Sequence, residues 1–91
     1  MSSFESFVKI VYSTKDKVLL EDFLLAITTP RERQELVTRI EIIERLIAGE
    51  PQQKIAKELG VGIATITRGS KELALGRFKL LRGGHEKGGH V

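Results

Sequence analysis

Gln52-Gln-Lys-Ile-Ala-Lys-Glu-Leu-Gly-Val-Gly-Ile-Ala-Thr-Ile-Thr-Arg-Gly-Ser70 encodes a short helix, a glycine stop and a second helix that crosses the first. Ile55 and Leu59 lie four apart and share one helical face, with Ala56 beside them where a second helix can approach closely. Gly60 can take the left-handed conformation that ends a helix at low cost. Val61 then plugs the corner, and Ile66 falls on the next helix, placed to pack back on Ile55 and Ala56. Two helices joined this tightly through a glycine form a helix-turn-helix. An ordinary helical hairpin would show the same apolar spacing, but the polar positions also fit DNA docking. Gln52, Gln53, Lys54 and Lys57 lie on or near the exposed face of the first helix, where it would cross a phosphate backbone. Ile63, Ala64 and Thr65 open the second helix, the end that meets base edges in this motif.

Working outward, the chain of 91 residues fits one domain. The expected division is a single all-helical domain over 1–82, with the helix-turn-helix at 52–72 and a disordered tail at 83–91. A chain this short buries only about 60–65% of its unfolded surface, so a partner subunit would help complete its core. There is no cysteine, which excludes disulfides and thiolate metal sites. No apolar run approaches the ~20 residues that span a bilayer, and the N-terminus lacks a signal-peptide pattern, so the expectation is a cytoplasmic protein.

The net charge of +3 hides an asymmetry. Residues 1–50 carry seven Lys/Arg against nine Asp/Glu, a balance of −2, while residues 51–91 carry eight against three, a balance of +5. The basic half contains the helix-turn-helix, which points to a polyanion.

Upstream, Phe4, Phe7, Val8 and Val11 follow the spacing of an amphipathic helix, and Leu20, Phe23, Leu24 and Ile27 repeat it. Between them Ser13 or Thr14 is placed to cap the second helix. Val18 and Leu19 widen its apolar face, and such a stripe reads as intersubunit packing more than as internal core. Thr29-Pro-Arg-Glu32 is a helix start, with Thr29 at the N-cap, Pro30 in the first helical position and Glu32 completing a capping box. The long helix that follows runs to Ala48, with Leu36, Ile40, Ile43 and Ile47 on one face and Glu35–Arg39 and Glu41–Arg45 as i, i+4 pairs. Gly49 stops it and Pro51 separates it from the next helix. Lys71 to Leu81 predicts a short last helix weakened by Gly76, giving five to six helices in all.

The run Gly62-Ile-Ala-Thr-Ile-Thr-Arg-Gly-Ser70, with Thr29-Pro-x-Glu-Arg33, Thr38-Arg39 and Gly49-Glu50 upstream, resembles the tryptophan repressor family over about residues 24–73. The preceding Gln52-x-Lys-x-Ala-Lys-Glu-Leu-Gly60 also resembles the helix-turn-helix of phage repressors. The resemblance implies an intertwined helical homodimer that binds a palindromic operator with L-tryptophan as corepressor. Helix-turn-helix dimers, of which the Trp repressor is itself a type example, read half-sites about one helical turn, ~34 Å, apart.

Family roles carry over where residues match. Arg39 corresponds to the arginine that stacks on the indole, and Arg68 to the one that covers its other face and engages the carboxylate. Thr29 corresponds to a threonine that hydrogen-bonds the ligand, and Gly69 to a glycine lining the pocket. Glu72 stands where the family has a serine near the ligand's amino group, so a carboxylate there either pairs with that ammonium or changes which ligand fits. Ile63, Ala64, Thr65 and Thr67 match the reading helix, and Lys54, Lys57 and Lys71 suit phosphate contacts. Taken without the resemblance, Arg39 reads as a partner of Glu35, Arg68 as a phosphate contact and Ile63 equally as core. Between Gly49 and Gly60 the chain is one residue shorter than the enteric repressors, which leaves the register at Gln52, Gln53 and Lys54 open.

The expected function is therefore a tryptophan-responsive repressor of tryptophan biosynthesis or transport genes, with no cofactor beyond that ligand. A DNA-binding regulator with a different effector or none, and a helical protein-interaction module, are the alternatives. An enzyme is not expected, since the chain lacks a glycine-rich phosphate loop and its two histidines, His85 and His90, fall in the tail.

Overall fold

The computed structural model describes residues 3–83 and contains five helices, with no strand among those residues. They are α1 (Phe4–Ser13), α2 (Lys17–Ile27), α3 (Pro30–Ile47), α4 (Gln52–Leu59) and α5 (Ile63–Ala74). The all-helical class read from the periodicities is the class found. Among the described residues no helix is long and apolar enough to cross a membrane. The chain divides into two compact units, Met1–Arg33 and Gln34–Val91.

In the first unit, Ser3 caps α1 by accepting from the Ser6 amide at 3.1 Å. Ser13 and Thr14 do not cap α2 as the sequence suggested. Both hydroxyls turn back and donate to the Ile10 carbonyl, at 3.2 and 2.7 Å. Asp16 caps instead, its Oδ1 accepting from the Val18 and Leu19 amides at 2.9 and 3.2 Å. A carboxylate has the advantage here, because it also opposes the positive end of the helix dipole. Thr29 and Glu32 form the expected reciprocal capping box: the Glu32 amide donates to Thr29 Oγ1 at 3.1 Å and the Thr29 amide to Glu32 Oε1 at 2.8 Å. Arg33 Nη1 donates to the carbonyls of Leu25 and Thr28, satisfying the open end of α2. Phe7 and Phe23 stack with ring centroids 6.2 Å apart. No residue of α1 or α2 is buried within the chain, and Phe4, Val18 and Leu19 are largely exposed.

The second unit holds the core. Ile42 and Ile43 of α3, Ile55 of α4, and Ile66 and Leu73 of α5 form one buried cluster, flanked by Leu46, Ala56, Leu59 and Val61. At the end of α3 the Gly49 amide donates to Leu46 O and the Glu50 amide to Arg45 O, both at 3.0 Å, with Gly49 at φ +89°. Gly60 ends α4 at φ +69°, and the Val61 amide donates to Ala56 O at 3.1 Å. That left-handed step is inexpensive for glycine and strained for a residue with a Cβ. Ile55 and Ile66 are thereby brought together with no exposed surface.

The separate last helix expected over 71–81 is not formed. Lys71 to Ala74 continue α5, Gly76 (φ +90°) ends it, and the chain turns so that Leu81 packs on the core cluster. Propensity at Gly76 located the break but not which side the helical residues would join. Residues 84–91, with His85, His90 and the tail expected to be disordered, lie outside the described residues.

Truncating Ile66 should test this account of the core. Ile66→Ala is expected to lower the unfolding free energy by about 2–5 kcal/mol, read as a shifted urea midpoint with the slope retained. A cost below about 0.5 kcal/mol, the level of a surface site, would contradict the packing described.

Candidate functional site

The turn at Gly60 leaves two polar surfaces around the crossed helices α4 and α5. On α4, Gln53, Lys54 and Lys57 are exposed and Gln52 is half-buried. On α5, Ile63, Ala64 and Thr65 face solvent in the first turn. Ile63 is 47% exposed and lies outside the core cluster, so its side chain is open to solvent in the first turn of α5. Lys71 is exposed in the last turn. Thr67 Oγ1 donates to Gln52 Oε1 at 2.9 Å, so two residues read separately from the sequence act as one link between the helices.

The attitude of α4 is set by a second device that the sequence reading missed. Arg45, near the end of α3, donates through Nε to Glu50 Oε1 at 2.8 Å and through Nη2 to Glu58 Oε1 on α4. The intrahelical partner named from the sequence, Glu41, is also paired with Arg45, at the longer distance of 3.9 Å. One guanidinium thus spans α3, the connecting turn and α4, which its planar fork of donors allows. Hydrogen bonds to Glu50 and then Glu58 push the Arg45 pKa further up, and the Arg45 hydrogen bond holds the Glu58 carboxyl below its ordinary range. The signal lay in Glu50 and Glu58, whose pairing with Arg45 depends on the chain reversal at Gly49 and is not a helical spacing.

Between α3 and α5 the second unit opens a cavity of about 480 Å³. Arg39 of α3 and Arg68 of α5 both line it, together with Gly69 and Glu72 of α5. Ile42 and Ile43 form an apolar floor, with Thr65 and Phe78 also lining the space. Four of the five residues named for a corepressor, Arg39, Arg68, Gly69 and Glu72, are brought together here. The fifth, Thr29, is not among the lining residues and is engaged in the cap of α3. Arg39 and Arg68 make no ion pair among the described residues. Glu72 is paired with Arg77, Nε to Oε1 at 3.5 Å.

Gly69 has a packing reason as well as a lining one. A Cβ built there would stand 2.9 Å from Ile43 Cδ1. A side chain at this position would require the tip of Ile43 to shift, so glycine lets α5 lie against α3 without disturbing the core. Among the described residues no cluster of three His, Cys, Asp or Glu side chains is arranged to hold a metal.

Comparison with known proteins points to one family. The family model described as Trp repressor protein matches residues 2–80. A Trp operon repressor homolog of Vibrio vulnificus is 39% identical over 95 residues, covering 97% of this chain and 93% of its own length. One from Vibrio campbellii is 44% identical over 70 residues, covering 76% of this chain and 70% of its own. One from Photobacterium profundum is 50% identical over 60 residues, covering 65% and 54% respectively.

The Arg45 bridge predicts a pH dependence. Because the Glu58 carboxyl titrates lower in the folded chain, the unfolded chain binds its proton more readily. Its stabilising contribution is therefore complete above the unfolded carboxylate value of about 4.3 and is lost as pH falls through the lower folded value. Melting temperature should fall more steeply for the wild type than for Arg45→Met between about pH 5 and pH 2. Parallel curves would mean that the bridge contributes nothing.

Proposed function

The chain belongs to the Trp repressor protein family, and on that premise we propose that it is a sequence-specific DNA-binding repressor with L-tryptophan as corepressor. The observation that supports this reading is one cavity lined by both Arg39 and Arg68 together with the apolar side chains of Ile42 and Ile43. A guanidinium plane stacks on an aromatic face and also forks to a carboxylate, so this pair suits a flat ring bearing an acid group. Glu72, paired with Arg77, would exchange that partner for the α-ammonium. Thr29 Oγ1 accepts from the Glu32 amide at the start of α3, and Thr29 lies outside the residues that line this cavity.

The coupling to DNA runs along α5. Arg68, Gly69 and Glu72 lie on the same helix that begins with Ile63, Ala64 and Thr65. A ligand wedged between Arg39 and Arg68 sets the spacing of α5 from α3, and with it the position of the reading end in the major groove. Thr65 and Thr67 supply hydroxyls, and Ile63 and Ala64 apolar contacts for thymine methyls. Gln52, Gln53, Lys54, Lys57 and Lys71 contact phosphates or the edges of the site.

A homodimer on a palindromic operator is part of the same proposal. The exposed apolar side chains of α1 and α2 need cover that one chain does not give them. The targets would be genes of tryptophan biosynthesis or transport, regulated in the cytoplasm, and no catalysis is involved. One observation favours a second reading, a regulator of the same fold with another effector: Glu72 occupies a serine position and is already paired with Arg77.

Calorimetric titration with L-tryptophan should give saturable binding at one ligand per chain, reduced at least about tenfold by Arg68→Ala. No heat at millimolar ligand, with an unchanged melting temperature, would remove tryptophan and leave the second reading. Duplex DNA should be bound with an affinity that falls as salt rises. Absence of any duplex binding at low salt would point to a protein-interaction module instead.

A further inference from the structure

Among the residues around the cavity, Phe78 belongs to no helix and to none of the motifs read from the sequence. It sits in the turn after α5 and is the one non-glycine among the described residues with positive φ, at +62°. A bulky side chain adopts that conformation only where its surroundings impose it, and such residues concentrate at ligand sites. Here the surroundings hold the turn on both sides. Before it, the Arg77 amide donates to Glu72 O at 3.0 Å and the Arg77 side chain pairs with Glu72. After it, the Leu81 and Arg82 amides donate to Phe78 O at 3.0 and 3.2 Å, and Leu81 is seated against the core cluster.

What this arrangement achieves is an aromatic ring on the cavity, left 37% exposed where a coil residue could have turned fully to solvent. The ring does not plug the space. With Phe78 in place the cavity still measures about 480 Å³, inside the ~300–1,000 Å³ range of small-molecule sites. Its other walls are two cations, a carboxylate and aliphatic side chains.

We propose that Phe78 is a ligand-contacting residue that selects for an aromatic side chain, forming the wall against which the ring of the bound amino acid packs. The proposal rests on the corepressor reading of this cavity and adds a contact that the helix-turn-helix and its arginines do not supply. Aromatic pairs meet in offset or edge-to-face geometry and gain beyond their buried area. An amino acid with a small aliphatic side chain would meet the same arginines and Glu72 and leave that wall uncovered.

The test is Phe78→Gly in the full chain, a substitution that suits the positive φ and removes only the ring. L-tryptophan affinity by calorimetry should fall about tenfold or more, while the unfolding midpoint and salt-dependent duplex binding are retained. The chain has no tryptophan of its own, so the emission of bound L-tryptophan reports its surroundings directly. It should be blue-shifted in the wild type, move toward the emission of free ligand in Phe78→Gly, and return with Phe78→Tyr. Wild-type affinity and emission in Phe78→Gly would overturn the role of Phe78 alone. Failure of the wild type itself to bind L-tryptophan would overturn the corepressor reading and this contact with it.

Discussion

The crossing of α4 and α5 depends on a contact with no slack. Ile55 and Ile66 are buried to the last square ångström in one cluster with Ile42, Ile43 and Leu73. Neither side chain can move without opening a void or a clash, since interiors are packed as densely as molecular crystals. Gly60 permits the approach by turning the chain through left-handed backbone, and Gly69 permits the next one by letting α5 lie against Ile43. The polar features of the unit inherit their positions from these apolar ones. The exposed first turn of α5, the bond from Thr67 to Gln52 and the sharing of one cavity by Arg39 and Arg68 all follow from where α5 is held.

Legibility in the sequence followed the range of the interaction. Helix-turn-helix packing, the Thr29–Glu32 capping box and the glycine stops are local, each decided within a few residues, and they were readable as written. The cap of α2 was also local, but two hydroxyls and a carboxylate competed for it, and proximity to the helix start favoured Asp16. What the sequence did not disclose depends on chain reversals. Arg45 reads as a partner of Glu41 on a helical net, and only the turn at Gly49 brings Glu50 and Glu58 to it. Phe78 reads as one apolar residue among several in a weak helix, until Gly76 ends α5 and the turn carries the ring to the cavity. The four arginine, glycine and glutamate positions of the site came from the family resemblance. Without it Arg39 reads as an intrahelical partner of Glu35 and Arg68 as a phosphate contact.

The chain also shows where its own core runs out. Among the described residues, all five buried side chains lie in the second unit, while α1 and α2 bury none. Their caps and ring stacking are well made, so these helices are specified locally but not covered. Helices of this length are marginal in water without tertiary packing. In the proposed dimer, a second copy provides that packing, and folding of the first unit becomes linked to assembly.

The electrostatics of the cavity bear on which ligand it accepts. Two guanidinium groups and one carboxylate line a partly apolar space, a pattern complementary to a zwitterion with a ring attached. In the proposed complex the ligand carboxylate meets Arg68, while its ammonium meets Glu72, a group already paired with Arg77. The second meeting is an exchange of one cation for another. Its net gain is smaller than that of a new ion pair, because Arg77 must find solvent when the ammonium arrives. Discrimination then falls to the ring, which has the arginine planes and the Phe78 wall to itself. A site built in this way recognises the amino-acid backbone by charge and chooses among side chains by shape.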